Sequence, residues 1–486
     1  MLTKQFFLDQ HGCAKNQVDG ELLIGILQQE GWVRAKSAET ADIIIVNSCG
    51  FIEAAKLESI EAVISARSRY PNAKILLAGC LAERYAEEFQ QELPEADAFF
   101  GNGDLSQLPK IVHQMITNTK KDYRPALVPE QKGISCGIRP EILNFPRSVF
   151  IKITEGCNHR CSFCAIPLIR GNLRSRPIED CVQEIQQFIK SGCYEFNLIG
   201  QDLAAFQGSK KTAYNFGTKP QGSIKSIEQT FPKKQSGLAE LLQAISALEG
   251  DFRVRLLYIH PDNFPLDILP IMTQDSRFLP YFDLPFQSGS ANILHLMNRR
   301  GSAEKYLELA DTIRNAFRKA KSPYKTTVFR TTFLTGFPGE TDFDFEQTED
   351  FLTNLKSLWS GAFVFSKEEG TKAEHLPAQV PKKLAEKRLR ILQDLQTEIT
   401  QESLQFFCGY ETDILIEEII ENAEIDGDSK VAIGRAWFQA PEVDGAIVVN
   451  YTDEQRDRSG NPFAPGSIIK AKIIAPRGFD LEAVAL

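Results

Sequence analysis

Nowhere in the 486 residues is there a run near the ~18 uninterrupted apolar side chains that a membrane-spanning helix needs, so no spanning helix and no membrane partner is expected. The opening stretch, MLTKQFFLDQHG, has one Lys, then an Asp and a His, and no long apolar core. It does not read as a secretory signal, and the expected address is the cytoplasm. An excess of positive charge is also missing. Net charge is −9, which argues against a general binder of nucleic acid. The imbalance is local: Gln405 to Leu486 carries 7 basic and 15 acidic side chains, leaving residues 1–404 at −1. Such an acidic C-terminal region would attract a basic partner and repel a phosphate backbone, unless its charge only serves solubility.

What is present is an ordinary globular composition, 43% apolar and 24% charged, which excludes a disordered, collagen-like or coiled-coil chain. The length suggests about three domains. Short apolar runs at Lys4–Gln10, Ala41–Asn47 and Lys74–Ala78 read as buried strands, with helical patterns at Asp19–Glu30 and Glu53–Arg69 between them. Residues 1–118 therefore read as a doubly wound parallel-sheet domain. Residues 119–147, punctuated by Pro and Gly, read as a linker.

From 148 to 404 strand-then-helix units recur, with strands at Ser148–Thr154, Glu195–Ile199, Arg253–Tyr258, Tyr281–Leu284, Val328–Leu334 and Ala362–Phe365. Six such units suggest a partial (β/α) barrel. Ala205–Gly237, with six Lys and one Glu, reads as a surface insertion. A helix over Lys382–Gln405 leads out of the barrel. Residues 405–486 show short alternating runs separated by turns, which predict a small antiparallel β-barrel.

Ten cysteines in a chain expected to be cytosolic point to metal or thiol chemistry rather than disulfides. Cys157, Cys161 and Cys164 form a C-x-x-x-C-x-x-C string just after a strand. A structural zinc would want a fourth ligand from a second Cys or Cys/His pair, and none follows at zinc-finger spacing. Three thiolates match an iron–sulfur cluster with one iron left open; zinc and unliganded cysteines are the alternatives. Cys13, Cys49 and Cys80 each follow a candidate strand by one to three residues. In a parallel sheet these strand ends share one edge, so the three thiols would converge as a second metal site, or else pack as small hydrophobes.

These strings carry a resemblance. Cys157–Cys164 resembles the signature of radical S-adenosylmethionine (SAM) enzymes. Gly12-Cys13-Ala-Lys-Asn16, Asn47-Ser-Cys49-Gly-Phe-Ile52 and Gly79-Cys80-Leu81 resemble the N-terminal domain of the methylthiotransferases. Arg170-Gly171, Arg174-Ser-Arg176, Gly336-Phe-Pro-Gly-Glu-Thr341, Glu368-Glu-Gly-Thr371 and Ala440-Pro-Glu-Val-Asp-Gly445 are similar to the branch acting on an aspartate of ribosomal protein S-twelve. The branch acting on adenosine in tRNA usually has Gln-Met at the place of Ala14-Lys15. The C-terminal segment resembles a TRAM domain.

The resemblance implies two [4Fe-4S] clusters, one on Cys157, Cys161 and Cys164 and one on Cys13, Cys49 and Cys80. It implies SAM as both radical source and methyl donor, sulfur delivery from the second cluster, and an electron donor such as flavodoxin or ferredoxin. A C–H bond without an acidic proton is beyond a side-chain base, which is why a cofactor radical is needed. The implied partner is the strongly basic ribosomal protein, matched by the acidic C-terminal region, with tRNA the less favoured substrate. A non-enzymatic iron–sulfur carrier would need no SAM-sized barrel.

Phe163 is implied to pack near the adenine, or else to be a core aromatic. Gln201, Arg330 and Glu340, at or beyond strand ends, are candidate SAM or substrate contacts, or ordinary loop and capping residues. Arg170, Arg174 and Arg176 read as a solvated basic face. Ser288, where the family usually has His, and Ser48, where Thr is common, depart from the pattern, as does the 205–237 insertion.

Overall fold

The computed structural model describes all residues except 1–3, 119, 121–122, 209–213, 217–234, 321, 325 and 422–429. Most of the 205–237 insertion lies outside the described residues.

The N-terminal sheet is six-stranded and wholly parallel. Its order is Val33–Arg34, Gln5–Gln10, Ile43–Ser48, Lys74–Gly79, Ala98–Phe100 and Ala126–Leu127. The order reverses between Gln5–Gln10 and Ile43–Ser48, and at such a switch point the crevice beyond the strand ends binds ligands. Cys13 and Cys49 follow the two strands that flank it. Ile43–Ser48 is buried along its whole length, as a near-continuous apolar run in a covered parallel sheet requires. The last strand, Ala126–Leu127, falls inside the stretch read as linker. Two residues carry too little periodicity to be seen in sequence.

The central sheet runs Ser148–Lys152, Glu195–Ile199, Arg253–Leu256, Phe278–Asp283, Val328–Thr335 and Trp359–Val364, each parallel to the next and in chain order. It stays open, a partial barrel as expected. The carboxyl ends of its strands carry the loops that build the site. Lys382–Gln405 is a single helix with the predicted bounds.

The C-terminal strands close into a five-stranded barrel: Glu411–Ile420, Lys430–Arg435, Ile447–Tyr451, Asp480–Ala485, Ile468–Arg477. The expected antiparallel pairing needs one correction, because Ile447–Tyr451 and Asp480–Ala485 run parallel. Directions cannot alternate all the way round an odd-numbered ring, so at least one parallel pair is unavoidable.

Helix Ala14–Gln29 starts five residues earlier than its periodicity suggested. It is buried from Ala14 to Leu27 between the two sheets, polar residues included. A helix covered on all sides shows no single apolar stripe, which hid its first turn.

Candidate functional site

Three loops at the edge of the N-terminal sheet bring Cys13, Cys49 and Cys80 together. A Cβ on Gly12 would stand 3.2 Å from that of Cys49, and one on Gly50 would stand 2.6 Å from the Cys80 carbonyl oxygen. Gly79, at φ +93°, lets the third loop pass Asn47 and Ser48 where a Cβ would clash at 2.7 Å. Asn16 ties the loops: its Nδ2 donates to the carbonyls of His11 (2.8 Å), Asn47 (3.2 Å) and Ser48 (3.3 Å). The Ser48 hydroxyl donates to the Ala78 carbonyl at 2.5 Å and accepts from the Leu81 amide at 3.3 Å. A hydroxyl suffices for that role, so Ser in place of Thr changes nothing here.

The electrostatics suit thiolates. Desolvation works against ionisation of Cys13, but the Lys15 ammonium, the Asn16 amide and Arg170 outweigh it and lower its pKa. Burial, with the neighbouring Cys80 sulfur, pushes the Cys49 thiol up to about 12. Burial also raises Cys80, against the pull of Arg170. The same balance recurs in the barrel loop, where burial lifts Cys157 to about 11 and Cys164 to about 12, and each thiol faces the amide two residues ahead, of His159 and Ile166. Buried thiols of this kind ionise when a metal binds and releases their protons.

Among the described residues no three His, Cys, Asp or Glu side chains converge closely enough to hold a single metal ion. The irons of a cubane each take a different thiolate, so three thiols are the donor set such a cluster uses. Both trios, free of disulfides, therefore fit clusters in donor type.

The two trios are joined by a buried charge network. Arg170 Nη1 pairs with Asp19 (2.5 Å) and Glu155 (2.6 Å), and its Nη2 donates to the Cys80 sulfur at 3.1 Å. Lys152 Nζ reaches Asp19 at 2.5 Å and Glu155 at 3.3 Å. Burial alone would raise the Glu155 carboxyl, but Lys152, Arg170 and Arg174 together bring it down to about 2. Glu155 lies two residues before Cys157, so the network runs from one thiol loop to the other. The reading of Arg170, Arg174 and Arg176 as a solvated face is thus overturned. Arg170 and Arg176 are buried, paired with Asp19, Glu155 and Glu184, and Arg174 is half-buried against Glu155. Carboxylates on distant segments supply their counter-charge, which no local pattern reveals.

A second clasp closes the seam. Glu368 Oε2 accepts from Lys56 Nζ (2.8 Å) and Arg84 Nη1 (3.1 Å), while the Ala373 amide donates to the Ser162 carbonyl, between Cys161 and Cys164, at 2.8 Å.

The other expected contacts are scattered. Gln201 Oε1 accepts from the Gly156 amide at 2.9 Å, bracing the loop before Cys157. Phe163 is half-buried and edge-on to Phe337, with ring centres 6.4 Å apart. Glu340 accepts from the Gly336 amide (2.9 Å) and pairs with Arg388 (2.7 Å), so it folds its own glycine-rich loop. Arg330 is the third residue of its strand and pairs with Asp283 (3.2 Å) and Asp444 (3.6 Å). Ser288 bonds the Ser290 amide and Thr348, each at 3.1 Å, within the barrel wall. His159 and His260, which no motif singles out, are stacked at 3.9 Å, with Asp202 Oδ2 at 2.6 Å from His159 Nε2. Only proximity in space distinguishes them.

Comparison with known proteins decides the family. Residues 5–101 match "Uncharacterized protein family UPF0004", residues 151–352 the radical SAM superfamily and residues 408–486 the TRAM domain. A protein of Treponema denticola named "Ribosomal protein uS12 methylthiotransferase RimO" is 55% identical over 99% of this chain and 100% of its own length. Proteins of the same name from Aquifex aeolicus (36% identical, 97% of this chain, 94% of the relative) and Thermotoga maritima (34%, 90% and 92%) follow. The chain belongs to the RimO methylthiotransferase family. It is an enzyme of the radical SAM superfamily, and the RimO branch is favoured over the tRNA-modifying one. No helix among the described residues is long and apolar enough to cross a membrane.

Proposed function

We propose that this chain methylthiolates an aspartate side chain of ribosomal protein uS12 in the cytoplasm. Cys157, Cys161 and Cys164 hold the SAM-binding [4Fe-4S] cluster, and Cys13, Cys49 and Cys80 hold a second one. When bound, SAM and the two clusters supply the radical, the sulfur and the methyl group that an unactivated C–H bond requires. The chain's own residues do the rest. Gln201 braces the loop before Cys157. Arg170 and Asn16 fix Cys80 and its neighbouring loops. The Glu368 clasp ties the two domains together over the seam.

The observation that carries this reading is the Arg170 bridge, because two trios serving one reaction must be held in a fixed relation. The acidic C-terminal barrel suits a basic protein partner better than a phosphate backbone. A reductant such as flavodoxin or ferredoxin supplies the electron. The test is the mass of the tryptic uS12 peptide in a deletion strain. Loss of the methylthio increment supports the proposal. An unchanged peptide with loss of methylthio-adenosine from tRNA supports the tRNA reading instead. Failure of reconstituted protein to cleave SAM under reducing conditions would leave an iron–sulfur carrier.

A further inference from the structure

Lys15 is a buried cation without a carboxylate. It is 9% exposed, yet among the described residues its ammonium has no ion-pair partner and lies 3.2 Å from the centre of the Tyr258 ring. Its buried neighbours are matched: Lys152 and Arg170 by Asp19 and Glu155, Arg330 by Asp283 and Asp444. Burying an ammonium is costly unless a counter-charge is near, and a ring face offsets only part of that cost.

The location is unfavourable on a second count. Lys15 is the second residue of helix Ala14–Gln29, whose first turn has no acidic side chain. Its charge therefore adds to the positive end of the helix rather than opposing it. The platform beneath it is also unusual. Tyr258 holds φ +67°, a left-handed conformation that is rare for a bulky residue, and its amide is anchored to Asp283 Oδ2 at 3.1 Å. Local rules broken together at one spot, with no carboxylate paired to the ammonium among the described residues, mark a place completed by a ligand. The ligand that completes this one is an anion.

We propose that Lys15 binds the carboxylate of the substrate aspartate and so selects an acidic side chain for modification. The inference rests on the function proposed above. An aspartate side chain has a single C–H-bearing carbon, and the carboxylate is attached directly to it. Gripping the carboxylate therefore places the reacting carbon, and Lys15 does so two residues from Cys13, on the thiol trio assigned to sulfur delivery. Tyr258, two residues beyond the barrel strand Arg253–Leu256, sets the ammonium at the seam where that trio meets the barrel.

The test compares steady-state methylthiolation of uS12 and of uS12 with its target aspartate replaced by asparagine. The enzymes are the reconstituted full-length wild type, Lys15→Gln and Lys15→Arg, with iron content and EPR spectra recorded for each. Lys15→Gln is expected to raise KM for uS12 about 10- to 100-fold, the usual range for a lost charge-assisted hydrogen bond, and to bring the preference for aspartate over asparagine close to one. Lys15→Arg, which keeps the charge, is expected to restore most of that preference. An unchanged preference in Lys15→Gln, or a loss that scales with missing iron, would overturn the proposal and leave Lys15 as a counter-charge to the Cys13 thiolate. A wild type that does not modify uS12 at all would instead overturn the proposed function.

Discussion

Arg170, on the loop that follows the barrel's cysteine string, donates to the sulfur of Cys80 in the other domain at 3.1 Å. The same guanidinium pairs with Asp19 and Glu155. One side chain therefore ties a thiol of the N-terminal trio to the carboxylate two residues before Cys157, and shares two buried carboxylates with Lys152.

Arg170→Gln should be severe, since it leaves Asp19 and Glu155 with Lys152 as their main cation. Breaking a buried pair of this kind costs about 3–5 kcal/mol. A fall in thermal midpoint should accompany reduced iron occupancy of the Cys13–Cys49–Cys80 trio, read by iron analysis in a background lacking the three barrel cysteines. Normal melting and full occupancy would show that the bridge is incidental.

The trios should separate by activity. Cys161→Ala should abolish SAM cleavage, because two thiolates cannot retain the cluster. Cys49→Ala should still cleave SAM but make no methylthio product. Wild-type protein prepared anaerobically should contain about eight irons per chain. Full methylthiolation by Cys49→Ala would contradict a sulfur-delivering role for the N-terminal thiols.

The Glu368 clasp should control how the domains stay together. Glu368→Gln removes the negative partner of both Lys56 and Arg84. Amide exchange should rise in the segment from Glu368 to Ala373, whose backbone is bonded to the cysteine loop at Ser162 within the central domain. Product formation should fall relative to SAM cleavage. Unaltered exchange there would mean that the clasp contributes nothing to closure.

Acid should loosen the contact between the C-terminal barrel and the central sheet. Glu195 accepts from Arg255 (2.7 Å) and, across the domain boundary, from Arg435 (2.9 Å). Burial alone would raise its carboxyl, but the two guanidiniums hold it well below the usual carboxylate range. A depressed folded value stabilises above the unfolded pKa of about 4.3, and that contribution is lost as pH falls below it. Arg435→Gln should lower the thermal midpoint at pH 7 and flatten the loss between about pH 5 and pH 3. An unchanged acid profile would remove Glu195 from the account.

Much of this organisation is legible before folding. The strand ends carrying Cys13, Cys49 and Cys80, the C-x-x-x-C-x-x-C loop and the bounds of Lys382–Gln405 follow from local periodicity and turn residues, which act within a few positions of the chain. The resemblance of these strings also carried the family and its chemistry. Charge was read less well. Arg170 and Arg176 looked solvated because arginine is seldom buried without partners, and their partners lie on distant stretches of chain.

Covalent order therefore determined which side chains could ligate metal and which segments would be strand or helix, since both depend on near neighbours. Only tertiary structure decided that helix Ala14–Gln29 lies between two sheets, that Arg170 reaches Cys80, and that Lys15 is buried without a carboxylate. Those outcomes depend on which charges meet in a region of low dielectric, and burial, not sequence position, sets the strength of such meetings.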